Sequence, residues 1–139
     1  MSTLKYLIVF LLFAGLAYAA DAPAEKKTFT ATVDSNGVQR VEITGGEYYF
    51  DPNYIIVKKG VPVEFVVKKV SGILPIPHNI KIEAPEAGIN FNEDMPKEPK
   101  VIRFTPTKTG KYDIICDKKF LFFATHKEKG MEGTLEVVE

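Results

Sequence analysis

Four side chains in this sequence could bind a metal ion together: His78, Cys116, His126 and Met131. The chain has one cysteine and two histidines, so a site built from imidazole and thiolate can use only these residues. Each residue alone has a simpler explanation. Free cysteine is among the most buried residue types, a buried histidine is more often satisfied by hydrogen bonds, and methionine fills gaps in cores. The metal hypothesis therefore depends on the four residues acting in combination.

The combination favours copper over a purely structural role. Two imidazoles and one thiolate form a trigonal plane, and a long thioether contact completes a geometry between those that Cu(I) and Cu(II) prefer. The charge of the metal would drive off the thiol proton, whose ordinary pKa is about 8.5. Occupation of the sulfur would also explain how an exported chain tolerates an unpaired cysteine. The sequence thus predicts one copper ion per chain, cycling between Cu(I) and Cu(II).

The segments that carry these residues alternate with a period of two, which is typical of β-strands. Short alternating stretches bounded by proline or glycine run from residue 28 to residue 138 and favour an antiparallel sandwich or barrel. Ile114 and Cys116 share one strand face, and His78 shares a face with Ile80 and Ile82. We therefore expect both ligands to point inward at the ends of strands.

Two segments carry more local predictions. Residues 29–33 and 41–43 alternate on either side of Ser35-Asn36-Gly37, a turn signal, which predicts a β-hairpin. Residues 83–99 contain three prolines and several acidic residues. This composition predicts a long loop with at most one short turn of helix.

The first residues predict export. Lys5 precedes the apolar run Leu7–Ala17, and Ala17-Tyr18-Ala19 has the small residues that a signal peptidase recognises. A retained anchor is the less favoured alternative, because the run is about half the ~20 residues of a membrane span. We expect a signal peptide over 1–19, a flexible leader over 20–27, one domain over 28–139, and a periplasmic or otherwise exported location.

The overall charge is balanced. Lys plus Arg and Asp plus Glu number 18 each, and removal of Lys5 with the signal leaves 17 basic against 18 acidic residues. The net charge near −1 offers no basic footprint for nucleic acid or for an anionic membrane. We therefore expect no nucleic-acid partner.

Several motifs resemble the cupredoxin family of small blue-copper proteins. Segment 110–116 (GKYDIIC) is similar to the family's Gly-x-Tyr-x-Phe-x-Cys strand, and segment 131–137 (MEGTLEV) is similar to its closing strand. Segment 50–63 resembles the second and third strands, and His78-Asn79 matches the first ligand and the asparagine that often follows it. The resemblance implies an all-β fold, a Greek-key antiparallel β-sandwich, with copper held by His78, Cys116, His126 and axial Met131.

One spacing departs from the family pattern. The family usually places its second histidine within a few residues of the cysteine, whereas nine residues separate Cys116 from His126. Loop insertions cost slowly increasing entropy, so the ligand set can survive one. The axial position stays open, because Glu128 and Glu132 flank Met131 and a carboxylate or water could replace the thioether in a red-copper type of site.

The inserted segment contains an aromatic run that is too apolar for an ordinary loop. Two alternatives stay open at this stage. Either the run folds back on the sandwich, or it forms an exposed apolar docking patch that consists of Phe120, Leu121, Phe122 and Phe123.

These observations predict an electron carrier and not an enzyme. Its partners would be redox proteins, such as a c-type cytochrome or a membrane oxidase or reductase. The alternatives are a copper-handling protein for resistance or delivery, although the mature chain offers only Met95 and Met131, and a partner-binding sandwich without metal. Enzymatic chemistry is disfavoured because the chain has no cysteine pair for a dinuclear centre and no nucleophile beside a base. A red-copper catalytic site is the one enzymatic alternative.

Overall fold

The computed structural model describes residues 24–70, 72 and 75–139. Within these ranges, ten strands form two sheets whose buried faces make one core. In chain order the strands are β1 (Thr28–Thr30), β2 (Gln39–Gly46), β3 (Tyr49–Asp51), β4 (Tyr54–Lys58), β5 (Val63–Lys69), β6 (Asn79–Ala84), β7 (Ile89–Asp94), β8 (Lys100–Phe104), β9 (Gly110–Ile115) and β10 (Glu132–Val138). The sheet orders are β1-β4-β10-β9-β6-β7 and β3-β2-β5-β8.

The core follows from the alternation in the strands. Every second residue of β5 is buried, including Val63, Phe65 and Val67, and the same holds for most of β2. Burying a side chain of this size contributes roughly 1.5–3 kcal/mol relative to leaving it exposed. The Phe65 ring also meets Phe91 and Phe104 edge-on, at centroid distances of 6.2 and 4.9 Å. Phe91 belongs to the other sheet, so its contacts with Phe65 and Phe104 join the two sheets.

The predicted Greek-key β-sandwich is confirmed, with one difference in strand pairing. Strands β1 and β4, β4 and β10, and β2 and β5 pair in parallel, whereas the remaining pairs between strands are antiparallel. Parallel neighbours need crossover connections, and in this fold the chain repeatedly passes from one sheet to the other. Alternation within a strand does not reveal the direction of its neighbour.

The predicted hairpin over 29–33 and 41–43 is wrong. Strand β1 pairs with β4 in the six-stranded sheet, whereas β2 belongs to the four-stranded sheet. The turn itself is present, because Asp34 accepts hydrogen bonds from the backbone of Asn36 and Val38, and an isolated bridge joins Val33 to Gln39. The chain passes from one sheet to the other within the alternating segment. The same apolar–polar alternation therefore continues through strands that belong to different sheets.

The prediction of a long loop over residues 83–99 is also wrong in part. A single 3-10 turn covers Pro85–Ala87, as the short-turn prediction allowed, but the edge strand β7 follows at once. Ile89 is buried and Phe91 is half-buried, while Asn90, Asn92 and Asp94 are exposed. An edge strand with a polar outer face has an amino-acid composition like that of a loop, although its apolar and polar residues alternate regularly.

The signal peptide predicted over 1–19 lies outside the described residues, as does the start of the leader. Residues 24–27 are exposed and have no regular secondary structure. In the part of the chain that the structure describes, no helix is long and apolar enough to cross a bilayer.

Three strand ends meet at one end of the sandwich. Strands β6 and β9 are antiparallel neighbours with Lys81 opposite Ile115, and β10 pairs with β9 from Glu132 onward. The start of β6, the end of β9 and the start of β10 therefore lie side by side. His78, Cys116 and Met131 each adjoin one of these ends.

Candidate metal centre

The side chains of three predicted ligands converge in the buried end of the sandwich. The Nδ1 atoms of His78 and His126 are 3.1 Å apart, and the Cys116 Sγ is 3.4 Å from the His126 Nδ1. One donor atom from each residue lies within 4.8 Å of the others. All three residues are buried, with at most 6% of their surface exposed. Sequence positions far apart are thus brought to one point by the strand ends.

Backbone hydrogen bonds connect the segments that carry Cys116, His126 and Met131. The Cys116 N–H donates to the Met131 carbonyl at 3.2 Å, and the Lys127 N–H donates to the Cys116 carbonyl at 2.9 Å. The Met131 N–H donates to the His126 carbonyl at 2.8 Å. Met131 is fully buried, and its backbone is bonded to that of both Cys116 and His126. A turn over residues 126–130 brings the backbones of His126 and Met131 together.

Asn79 joins the strand that follows His78 to the chain that follows Cys116. Its Nδ2 donates to Asp117 Oδ1 at 2.8 Å and to Asn92 Oδ1 at 2.7 Å, and its Oδ1 accepts from the Asp117 N–H at 3.1 Å. The Asn79 N–H lies 3.5 Å from the Cys116 sulfur. Asn79 and Asp117 each come one residue after a ligand, so the pairing of β6 with β9 places them opposite each other.

The electrostatics of the site favour uncharged donors before metal binds. Burial raises the pKa of the Cys116 thiol, although the backbone N–H groups of Asn79 and Lys118 act in the opposite direction. Burial, then His126 and Lys69, lower the pKa of His78 to about 4, and burial with Lys129 lowers that of His126. Neutral imidazoles offer free lone pairs to a metal, while the thiol needs the charge of the metal to lose its proton.

A second buried methionine lies beside Met131. A Cβ added to Gly45 would be 2.9 Å from the Met95 sulfur and 3.3 Å from the Met131 Cε, so both side chains crowd the same glycine. Met95 is also tied to the site by its N–H, which donates to the His78 carbonyl at 2.9 Å. The sequence contained no signal for this arrangement, because Met95 lies in the segment predicted to be a loop.

Tyr48 was likewise not identified from the sequence. Its ring meets the His126 ring edge-on at 5.3 Å, and Lys129 Nζ lies 4.6 Å from the Tyr48 ring centroid. Tyr48 adopts a left-handed backbone conformation, with φ of 62°, two residues after Gly46, the last residue of β2. Among the residues that the structure describes, none forms a hydrogen bond with the buried His126 Nε2. The ring packs against Tyr48, and its Nδ1 lies near His78 and Cys116.

The nine-residue insertion forms a small hairpin beyond the ligands. Lys119 and Thr125 make an isolated antiparallel bridge, and the His126 N–H donates to the Lys118 carbonyl at 2.8 Å. We call residues 118–126 the aromatic hairpin. Of the two alternatives for the aromatic run, the structure shows the exposed one at its tip, where the exposed fractions are 64% for Leu121, 88% for Phe122 and 53% for Phe123. Phe120 is half-buried.

A shallow cleft separates the aromatic hairpin from the end of the sandwich. It has a volume of about 280 Å³ and is lined by Glu47, Tyr48, Ile76, Phe120, Phe123, Ala124, His126 and Lys129. The cleft brings apolar side chains up to the imidazole of His126. The side of the site that faces this cleft is therefore the one nearest to a molecule approaching the protein.

The donor set fits one copper ion. Two imidazole nitrogens and one thiolate suit copper, and no carboxylate belongs to the cluster of donor atoms that converge here. The site is buried and its ligands are positioned by strands and backbone hydrogen bonds, so little rearrangement is needed to bind the ion. The structure brings together His78, Cys116 and His126 through their side chains, and places Met131 beside them through its backbone.

Comparisons with known proteins agree with this architecture. The model of the cupredoxin-like domain family matches residues 6–137. The metal-binding domain of the Cu(I)-exporting P-type ATPase CopA of Streptococcus pneumoniae D39 is 26% identical, with a TM-score of 0.60 over 83% of this chain and 99% of that chain. No curated protein matches this chain significantly.

Two further structures are similar in fold. Dithionite-reduced auracyanin from Roseiflexus castenholzii is 23% identical, with a TM-score of 0.51 over 72% of this chain and 97% of that chain. The periplasmic domain of cytochrome oxidase subunit II of Bradyrhizobium japonicum is 16% identical, with a TM-score of 0.54 over 72% of this chain and 83% of that chain. Because the family model covers nearly the whole chain and the fold agrees with it, this protein belongs to the cupredoxin-like domain family.

Proposed function

We propose that this cupredoxin-fold domain is an exported copper protein that carries single electrons between redox partners. The observation that supports this proposal is the convergence of two imidazole Nδ1 atoms and one thiol sulfur at a buried, strand-held point. Copper, when bound there, supplies a one-electron couple between Cu(I) and Cu(II). We propose a carrier and not an enzyme.

The role of the protein is to hold its donors in one arrangement in both redox states. His78 and Cys116 flank two paired strands, and Asn79 fixes the spacing between them. His126 is packed against Tyr48 on one side. Rigid ligands favour fast electron transfer, because little has to move when the charge of the site changes. Burial of the sulfur also keeps water and oxidants from it.

We propose Met131 as the axial ligand, in preference to a carboxylate or water. Met131 is fully buried at the start of β10, whereas Glu128 and Glu132 are exposed. The Glu128 carboxylate also accepts hydrogen bonds from the backbone N–H and the hydroxyl of Thr125. Both acidic alternatives would need to leave solvent, and Glu128 would also lose a local partner.

Copper handling is the second candidate function. The observation in its favour is the 26% identity to a domain of a Cu(I)-exporting ATPase. The described residues oppose it in one respect, because Met95, Met131, His78 and His126 are all buried and none is displayed for capture of the ion. A delivery protein must release copper readily, and the two functions therefore predict different rates of release.

The proposed partners are a c-type cytochrome or a membrane oxidase or reductase on the outer side of the cytoplasmic membrane. The similarity in fold to subunit II of a cytochrome oxidase and to auracyanin agrees with such a setting, as does the predicted signal peptide. Electrons would enter and leave on the side of His126, because its ring lines the cleft at the end of the sandwich.

The test is a titration of purified protein with Cu(II), followed by visible absorption and electron spin resonance. We expect an intense thiolate charge-transfer band at one copper per chain, absent in Cys116→Ser and shifted in Met131→Ala. Stopped-flow mixing of the loaded protein with reduced cytochrome c should show reversible one-electron transfer. A band with rapid loss of Cu(I) to a chelator would favour copper handling, and absence of the band would favour a metal-free binding domain.

A further inference from the structure

The tip of the aromatic hairpin is built to display apolar side chains. The Phe123 N–H donates to the Phe120 carbonyl at 3.2 Å, which closes a tight turn. Leu121 has a left-handed backbone, with φ of 55°, a sterically unfavourable conformation for a leucine. Phe122 and Phe123 lie side by side at 5.4 Å between ring centroids. Three adjoining large apolar side chains on a strained, hydrogen-bonded turn indicate a surface that is covered in use.

Lysine residues lie in the hairpin and just after it in the chain, and Lys129 Nζ is 5.9 Å from the centroid of the Phe123 ring. Lys119 within the hairpin and Lys127 and Lys129 just beyond it are exposed. Lys118 is the only lysine of this stretch that forms an ion pair within the described residues, with Asp94 at 2.9 Å. The three exposed ammonium groups lie on the same short stretch of chain as the apolar tip. This stretch therefore carries both exposed apolar side chains and exposed positive charges.

Most acidic groups of this region have local partners or lie in the cleft, whereas Glu132, at the start of β10, is exposed. Asp117 is bound by Lys81 at 3.3 Å, and the Glu128 carboxylate accepts hydrogen bonds from Thr125. Glu47 lines the cleft below the hairpin. The net charge of the whole molecule is near zero, but its distribution leaves this end with exposed lysines next to apolar side chains.

The chain also enters the sandwich at this end. Thr28 on β1 lies opposite Tyr54, and Tyr54 lies opposite Thr134, close to the start of β10 that follows Met131. The start of β1 and the aromatic hairpin therefore belong to the same end of the molecule.

We propose that the aromatic hairpin is a membrane contact, which inserts its tip into the interface of an anionic lipid bilayer. Leu and Phe side chains at a narrow tip can enter the boundary between headgroups and acyl chains, while lysines around them pair with anionic headgroups. The tip combines three exposed apolar side chains with exposed lysines close by in the chain, a combination that suits the interface of an anionic bilayer. The contact places the end that carries His126 next to the membrane.

This inference does not depend on the proposed function. The hairpin is closed by its own backbone bonds, so copper-free protein and the Cys116→Ser variant should bind lipid as well as loaded protein does. Failure of copper binding and failure of lipid binding can therefore be told apart in one set of samples.

The first test is co-sedimentation of exported, processed protein with vesicles of phosphatidylcholine alone or mixed with phosphatidylglycerol. We expect binding to the mixed vesicles that salt weakens. The double substitution Leu121→Ser, Phe122→Ser should weaken it at least about tenfold, and Lys119→Glu about fivefold or more. Val101→Ser, at another exposed apolar site, and Lys108→Glu, at the opposite end, should bind like the unmodified protein.

The second test uses the absence of tryptophan from the chain. Phe122→Trp introduces a single fluorophore at the tip, and Val101→Trp introduces one on β8 as a matched control. Mixed vesicles should shift the Phe122→Trp emission to shorter wavelength, and brominated lipids should quench it. The Val101→Trp emission should not change.

Three results would overturn the inference. One is the absence of binding to the mixed vesicles, and another is equal loss of binding in the hairpin and control variants. The third is that Leu121→Ser, Phe122→Ser leaves vesicle binding intact but slows electron transfer to a cytochrome in free solution. That last result would assign the tip to a protein partner.

Discussion

Asn79 is the side chain that does most to hold the metal centre without being a ligand. It is fully buried, and its amide makes three hydrogen bonds that span β6, β7 and the residue after Cys116. Its position one residue after His78 allows this, because the register of β6 and β9 then sets it opposite Asp117. The distance between two ligands is thus fixed by a neighbouring amide.

We expect Asn79→Ala to lower the free energy of unfolding of the copper-free protein by about 1–3 kcal/mol, since it leaves buried groups without partners. It should also weaken copper binding. Urea unfolding and copper titration would measure the two effects. Asn92→Ala is the matched control, because it removes only one of the three bonds, and equal effects of the two substitutions would contradict the clamping role of Asn79.

Gly45 controls the space next to both buried methionines. We expect Gly45→Ala to destabilise the fold by only about 1 kcal/mol, because the flexible ends of Met95 and Met131 can move. The copper absorption band should shift if Met131 is the axial ligand. The double variant Gly45→Ala, Met95→Ala should return toward the original spectrum. An unchanged spectrum in Gly45→Ala would argue against an axial thioether.

At the scale of elements, β5 is connected to its two neighbouring strands by ion pairs as well as by backbone hydrogen bonds. Glu64 lies between β2 and β8, with its carboxylate 2.8 Å from Arg40 Nη2 and 2.9 Å from Arg103 Nε. The two guanidinium groups lower the pKa of Glu64 from its ordinary value. The carboxylate therefore links three neighbouring strands on the outer face of the sheet.

This ion pair network predicts a pH dependence of stability. Because the pKa of Glu64 is lower in the folded protein, its ionised carboxylate stabilises the fold above the unfolded pKa of about 4.3. This stabilisation is lost as the pH falls through the folded pKa. We expect Glu64→Gln to be less stable than the unmodified protein at pH 7 and to lose less stability on acidification. Chemical unfolding at pH 7 and pH 3 would measure this. Glu42→Gln, on β2, should change neither quantity appreciably.

Most strands could be predicted from the sequence because alternation is a local property. β5, β9 and β10 lie among the alternating stretches predicted between residues 28 and 138, and one face of each is apolar. The partner of β1 could not be predicted, because pairing depends on where the chain crosses between sheets. β7 was missed because its exposed face is polar, with Asn90, Asn92 and Asp94, and this composition concealed the alternation.

At the scale of the whole molecule, the two sheets are joined by one aromatic cluster. Phe65 is fully buried on β5 and contacts Phe91 and Phe104. We expect Phe65→Ala to lower the free energy of unfolding by about 3–5 kcal/mol, because it leaves a cavity between the sheets. Thermal unfolding would measure this, with the exposed Phe29→Ala as control. A loss below about 1 kcal/mol would show that the sheets are held together elsewhere.

The site was predictable in its chemistry but not in its surroundings. The rarity of histidine and cysteine limited the choice of ligands, and strand phase predicted that His78 and Cys116 face inward. Tyr48 and Met95 could not be found, because both contacts arise from packing between segments distant in the chain. The exposure of the aromatic run was left open, since composition alone does not decide whether an apolar loop is covered.

The aromatic hairpin is closed at its base by the bond from the His126 N–H to the Lys118 carbonyl, and by the bridge between Lys119 and Thr125. Only the His126 ring, among the predicted ligands, lines the cleft to which Phe120 and Phe123 also contribute, and Leu121 and Phe122 lie outside that lining. Substitutions at these two positions can therefore accumulate while the copper site keeps its ligands and their backbone bonds. The outermost part of the insertion and the copper site are thus free to vary separately over evolution.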